Sequence, residues 1–277
     1  MSFFNGEFGK NYYTIAGLGK HPLVLLHGMG SSHKEWFCQR PVLKKYFQVI
    51  AMDHAGSGKS VQPEEELSIE RMAKDVGHLL DHLNFPRAIV LGSSMGGVIA
   101  QTFAAQAPER VEALIVSATF VVAENLIHQV LTPLLKSKAS PQVRIKAVLP
   151  LFFSEPFLKN ETKAVAKYIE HAENLAPPRE VLQRQVRALL NFIPPPLKSN
   201  LKAPVLVMAG SEDVITPPTM AEGIVARYPH AQLHICMGAK HLLHIERAEE
   251  FNRVVLNFLN QKSRSISLQS HKPSRLT

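Results

Sequence analysis

The sequence predicts an α/β protein: a mostly parallel sheet flanked by helices, with a helical lid inserted between two strands. Three observations predict it. Short apolar runs alternate with longer amphipathic runs along most of the 277 residues. The short runs are apolar at successive positions, as strands covered on both faces are. The alternation stops between 120 and 198, where only helical periodicity is found, and then resumes.

In order, the runs at 23–27, 47–52, 88–93, 111–117, 204–210 and 232–237 read as strands. The stretch 9–17 adds an antiparallel edge strand after an Asn5-Gly6 turn. Ile69, Met72, Ala73, Val76, Leu79, Leu80 and Leu83 recur at helical spacing behind Ser68, a suitable N-cap. A second helix is expected over 94–106, with Pro108 just past its end. Phe251, Val254, Val255, Phe258 and Leu259 mark a last helix. The 120–198 segment carries helical patches at 126–135 and 181–190 and ends in Ile193-Pro194-Pro195-Pro196, a stiff linker. The expected organisation is a core of 1–119 and 199–260, a helical lid of 120–198, and a disordered basic tail of 261–277.

Composition excludes several classes. Hydrophobic residues make up 45% and charged residues 19%, which is a globular balance. No apolar run reaches the roughly 20 residues of a membrane span. The first residues lack the basic and apolar regions of a signal peptide. Two cysteines, Cys38 and Cys236, are too few for a disulfide framework, so a cytoplasmic location is expected. The net charge of +8 is uneven: residues 1–119 are neutral, 120–198 carry +5, 199–260 carry −1 and the tail +4. That pattern argues against nucleic acid, and it leaves the basic lid as a surface for an acidic substrate or an acidic carrier protein. No metal-ligand spacing is found. Gly56-Ser57-Gly58-Lys59-Ser60 ends like a phosphate-binding loop, but the position of its first glycine is Asp53. No cofactor is expected.

The chemistry is carried by serine, aspartate and histidine. Gly92-Ser93-Ser94-Met95-Gly96 fits G-x-S-x-G, follows an apolar strand and opens a helix. A nucleophile there sits on a sharp turn above the strand ends. A serine needs a base, and the base needs an orienting acid. Asp213 directly follows the strand at 204–210, and His241 follows the one at 232–237. Both fall at carboxyl ends of strands, where open α/β sheets build their sites. His244, His234 and His27 are the nearest rival histidines, and Glu124 is an alternative acid. Developing charge on a carbonyl oxygen needs two amides. Met95, after the nucleophile, and Met29, in His27-Gly28-Met29-Gly30, are the candidates.

As a set, these motifs resemble the α/β-hydrolase superfamily, in its small lidded esterase, lactonase and C–C hydrolase branch. The matching pieces are His27-Gly28-Met29-Gly30, the turn from Asp53 to Ser60, Gly92 to Gly97, Pro108-Glu109-Arg110-Val111, Gly210-Ser211-Glu212-Asp213 with Pro217, and His241 with Glu246. The resemblance spans residues 10–260. It implies an α/β-hydrolase fold, a triad of Ser94, Asp213 and His241, and a structural role for Asp53. Relatives that use an aspartate nucleophile are excluded by Ser94. One departure is Lys240, where relatives often place glycine before the histidine.

The expected reaction is hydrolysis of a small-molecule carboxylic ester or lactone through an acyl-enzyme. Gly28, Leu126, Val130, Leu134, Phe152 and Phe153 are candidates for an apolar substrate pocket, with Leu151 and Phe157 beside them. The alternatives are a C–C bond hydrolase, a hydrolase of acyl-carrier-protein esters and a ligand receptor on the same fold. Relatives of the C–C type carry asparagine before the nucleophile and tryptophan after the histidine; here those positions are Ser93 and Leu242.

Overall fold

A computed structural model describes residues 2–122, 125–195 and 201–269; the side chains of 125–128, 130, 134 and 261–269 are outside the described set. The chain opens with β1 (Ser2–Gly6), β2 (Gly9–Ala16) and β3 (Pro22–Leu26), then a short α1 (Arg40–Leu43) and β4 (Gln48–Met52). Two strand–helix pairs follow: α2 (Ile69–His82) with β5 (Ala88–Ser93), and α3 (Met95–Gln106) with β6 (Val111–Ser117). The insertion between β6 and the next strand is all helical: α4 (Asn125–Lys136), α5 (Pro141–Phe152), α6 (Glu155–Asn160), α7 (Thr162–Asn174) and α8 (Arg179–Leu190). The core closes with β7 (Val205–Gly210), α9 (Pro218–Arg227), β8 (Gln232–Cys236), α10 (Leu243–Glu246) and α11 (Ala248–Gln269).

One eight-stranded sheet has the order β1-β2-β4-β3-β5-β6-β7-β8. Only the β1–β2 and β2–β4 pairings are antiparallel. The first of these corrects the expected turn. Asn5 and Gly6 end a strand, and the chain reverses at Glu7-Phe8, with Gly6 opposite Gly9. The Glu7 amide donates to the Asp75 carboxylate at 2.6 Å, which fixes the reversal from α2. So β2 is an inner strand and β1 is the edge.

The inner strands β3, β4, β5 and β7 are apolar at nearly every position because both faces are covered. On β3, Val24 and Leu26 face the layer of α2, α3 and α9, while Leu23 and Leu25 face the layer of Trp36 and α11. β4, β5 and β7 alternate in the same way. Each fully buried aliphatic side chain contributes about 1.5–3 kcal/mol. Helix α3 is buried on all sides from Met95 to Ala104, as a helix packed on the sheet beside α2 must be. Ser68 caps α2 as its spacing predicts, accepting from the Arg71 amide. Helix α11 continues to Gln269, into the segment expected to be disordered; once the packed first turns are nucleated, each further residue adds a bond at little cost. No described helix is long and apolar enough to cross a membrane.

Candidate active site

Three strand ends build the site. After β5 the chain turns so sharply that Ser94 has φ 52° and ψ −120°, a conformation outside the ordinary regions for a side-chain-bearing residue. The flanking glycines are required by sterics. A Cβ on Gly92 would lie 2.1 Å from the Gly96 carbonyl oxygen, and one on Gly96 would lie 2.1 Å from that of Leu26. The turn is held by the Ser94 amide, which donates to Ser117 at 3.0 Å, and by the Thr119 hydroxyl, which donates to the Ser94 carbonyl at 2.7 Å.

The loops after β7 and β8 meet over this turn. The Glu212 amide donates to the Ala239 carbonyl at 2.9 Å, and the Gly238 amide donates to the Ser211 hydroxyl at 2.8 Å. They bring His241 Nδ1 to 2.9 Å from Asp213 Oδ2 and His241 Nε2 to 3.1 Å from Ser94 Oγ. Asp213 also accepts from the Ile215 amide at 2.8 Å, the Thr216 amide at 3.0 Å and the Thr216 hydroxyl at 2.7 Å. Burial pushes the Asp213 carboxyl up, but the His241 ring and the Thr216 donors outweigh burial and hold it below the ordinary carboxylate value. An ionised Asp213 fixes the imidazole with Nδ1 protonated, which leaves Nε2 as the acceptor for a serine proton.

The two candidate amides have open hydrogens. Met95 is the first residue of α3, so no acceptor lies four residues behind it in the helix. Around Met29 both neighbouring amides are occupied. Gly28 N lies 3.4 Å from each Glu35 carboxylate oxygen, and Gly30 N donates to Gln185 Oε1 at 2.9 Å. Among the described residues, neither Met29 N nor Met95 N has an acceptor within the chain.

Known proteins resemble the chain in sequence and in fold. The sequence pattern of the α/β hydrolase fold matches residues 21–135. The dihydrolipoyllysine-residue acetyltransferase component of the acetoin cleaving system of Pseudomonas putida is 29% identical over 90% of this chain; the chain spans 66% of that relative's length. 3-Oxoadipate enol-lactonase 2 of Acinetobacter baylyi is 28% identical over 90% of this chain and 92% of its own. The crystal structure of a hydrolase from Pseudomonas aeruginosa superposes with a TM-score of 0.82 at 28% identity, over 93% of this chain and 97% of that one. The chain has the α/β-hydrolase fold.

The hydrolase encloses a cavity of about 200 Å³ over the serine. Gly28, Met29, Ser94 and His241 form its floor, and Leu131, Ile145, Val148, Leu151 and Phe152 of the lid form much of its roof. Phe152 stacks on the His241 ring, with centroids 5.8 Å apart and planes at 27°. Phe153, expected beside it in the pocket, is turned away. It is fully buried against Phe157 and Tyr168, because successive residues at the end of α5 point to different sides. Phe157 belongs to the same cluster. The side chains of Leu126, Val130 and Leu134, and all of Glu124, lie outside the described residues.

Three polar residues hold the site together; sequence reasoning missed Glu35 and Gln185 and met Glu246 only as part of the family pattern. Glu35 is buried, lines the cavity and lies 3.4 Å from His244 Nε2. Burial pushes its carboxyl up, but the His244 ring above all, with His27 and the Ser31 hydroxyl, holds it lower than usual. Glu246 accepts from the Lys240 amide at 2.8 Å and from the Ser154 amide at 3.0 Å, tying the histidine loop to the lid. Gln185 is the third. The rival histidines have other partners. His244 is buried against Trp36, and His234 pairs with Glu250 at 2.7 Å. His27 donates to the Gly28 carbonyl at 2.8 Å and packs on His54. Burial lowers the pKa of both rings, His54 the further. Asp53 accepts from the His33 and Lys59 amides at 2.6 and 2.9 Å and so closes the turn after β4.

Proposed function

We propose that the chain is a serine hydrolase acting on a carboxylic ester or lactone with a small to medium apolar acyl group. The observation that carries this reading is the contact of Ser94 Oγ with His241 Nε2 at 3.1 Å on the floor of a largely apolar cavity. His241 takes the Ser94 proton as Oγ attacks the carbonyl carbon. The Met29 and Met95 amides hold the oxyanion, and Asp213 stabilises the imidazolium. His241 then protonates the leaving alcohol. A water, deprotonated by the same ring, attacks the acyl-enzyme and releases the acid. The lactone form of the reading is supported by the relative named as an enol-lactonase. In that case the leaving alcohol stays attached to the acyl group, and water frees the two from the enzyme together as one hydroxy acid.

The test is turnover of p-nitrophenyl esters from acetate to dodecanoate, beside a panel of simple lactones, with Ser94→Ala as control. The reading expects hydrolysis that the substitution abolishes and an optimum at short to medium chains. Full activity in Ser94→Ala, or no turnover of any ester or lactone, would overturn it.

A further inference from the structure

The far edge of the sheet carries a second cluster of reactive side chains, which the hydrolytic site does not use. β8 is the last strand, and its residues His234 and Cys236 are two apart, so both side chains leave the same face. Helix α11 lies across that face and brings Glu250 from its first turn. His234 Nε2 and Glu250 Oε1 are 2.7 Å apart, and one donor atom from each of His234, Cys236 and Glu250 lies within 4.8 Å of the others. Cys236 is fully buried, while the His234 and Glu250 side chains are about a third exposed, at 32% and 30%.

We propose that His234, Cys236 and Glu250 bind a transition-metal dication of the zinc class. The donor set points to that class. An imidazole nitrogen, a thiolate sulfur and a carboxylate oxygen suit zinc and its neighbours, whereas magnesium and calcium take oxygen donors. The ion replaces the hydrogen bond between His234 and Glu250: the neutral imidazole carries its proton on Nδ1 and offers Nε2, and the Cys236 thiol releases its proton to solvent. A thiolate and a carboxylate then neutralise the dication. The fourth position faces the exposed side of the cluster, where water completes a tetrahedron. The charged groups around the cluster are Arg247, Arg253 and Glu246. Motif reading did not find this set because the third ligand comes from a different element, 14 residues after the cysteine. The ion joins α11 to the edge strand at the root of the loop that carries His241.

The test uses the full chain, treated with chelator and titrated with Co²⁺ as a spectroscopic stand-in for zinc. The expected result is a thiolate-to-cobalt charge-transfer band that saturates at one equivalent, bleaches on addition of Zn²⁺, and is lost in Cys236→Ala. His234→Asn and Glu250→Gln, both at the surface, weaken binding while ester turnover is unchanged. Zn²⁺ raises the melting temperature of the wild type and not of Cys236→Ala. Absence of the sulfur band in the wild type would overturn the proposal. So would its full retention in all three variants, which would put the metal on Cys38 or on other histidines. Neither result bears on the hydrolytic reading, which rests on Ser94.

Discussion

Gln185 of α8 accepts the Gly30 amide at 2.9 Å, and its own amide group donates to the Gly56 carbonyl at 2.9 Å and the Ser57 hydroxyl at 2.8 Å. One fully buried side chain thus joins the lid to the loop after β3 and to the turn after β4. With Glu35 placed against Gly28 on the other side, the loop is held on both flanks of Met29. A preorganised donor is worth most when its neighbours cannot move, so under the proposed reaction these two side chains would serve the oxyanion without touching it.

Gln185→Ala removes one side chain and leaves three buried polar partners unmade. Each such group costs on the order of 1–3 kcal/mol, and relaxation of the loop recovers part of the sum. The expected loss is about 2–4 kcal/mol in a denaturant melt, with a fall in kcat for ester hydrolysis. An unchanged midpoint would mean that water replaces the amide at no cost.

Ser94→Ala separates chemistry from architecture. The methyl group occupies the place of the side chain on the same turn, and no lid contact runs through the hydroxyl. Turnover is expected to fall by about 10⁴-fold or more, with the melt little changed. Burst kinetics with a p-nitrophenyl ester should show one acyl group per wild-type chain and none in the variant. A burst that persists would place the nucleophile elsewhere.

What the sequence displays is what repeats or follows a rule. The inner parallel strands were legible because strands covered on both sides are apolar at nearly every position. The places of Ser94, Asp213 and His241 were legible because each follows a strand. β1 was not, because Asn5-Gly6 has turn chemistry, and the reversal is set by Asp75, 68 residues from Glu7. Glu35 and Gln185 were invisible for the same reason: each acts through partners on other elements, and Glu246 was visible only as part of the family pattern. Phe152 and Phe153 are adjacent and alike in sequence, and only the helix phase sends one to His241 and the other into the lid.

That phase makes Phe152 testable on its own. The ring covers His241 and meets Tyr168 edge-on at 6.3 Å, so it shields the imidazole from water while packing the lid. Phe152→Ala should raise KM for longer acyl chains and lower kcat by about tenfold, the scale of a single positioning contact. Phe153→Ala should instead lower stability by about 3–5 kcal/mol, the usual cost of emptying a buried aromatic site, with KM unchanged. The reverse pattern would mean that the lid packs the other ring over the site.

Asp213 links the site to acid stability. Its folded pKa lies below the ordinary carboxylate value because the His241 and Thr216 contacts outweigh burial. A depressed carboxylate contributes stability that is whole above its unfolded value, about 3.9, and is lost as pH falls through the lower folded value. Asp213→Asn has no such proton to take up. The stability gap between wild type and variant should therefore be whole near neutral pH. It should begin to close as the pH is lowered past about 3.9, where the carboxyl of the unfolded chain protonates, until the folded carboxyl protonates as well. Comparing the two proteins isolates this group from Glu35 and Asp53, whose carboxyls are also held low. The same variant should lose about 10⁴-fold in kcat, because asparagine stabilises the wrong imidazole tautomer. A gap that stays constant from neutral to acid pH would mean that the folded chain does not hold Asp213 ionised. The tautomer argument for His241 would then fall with it.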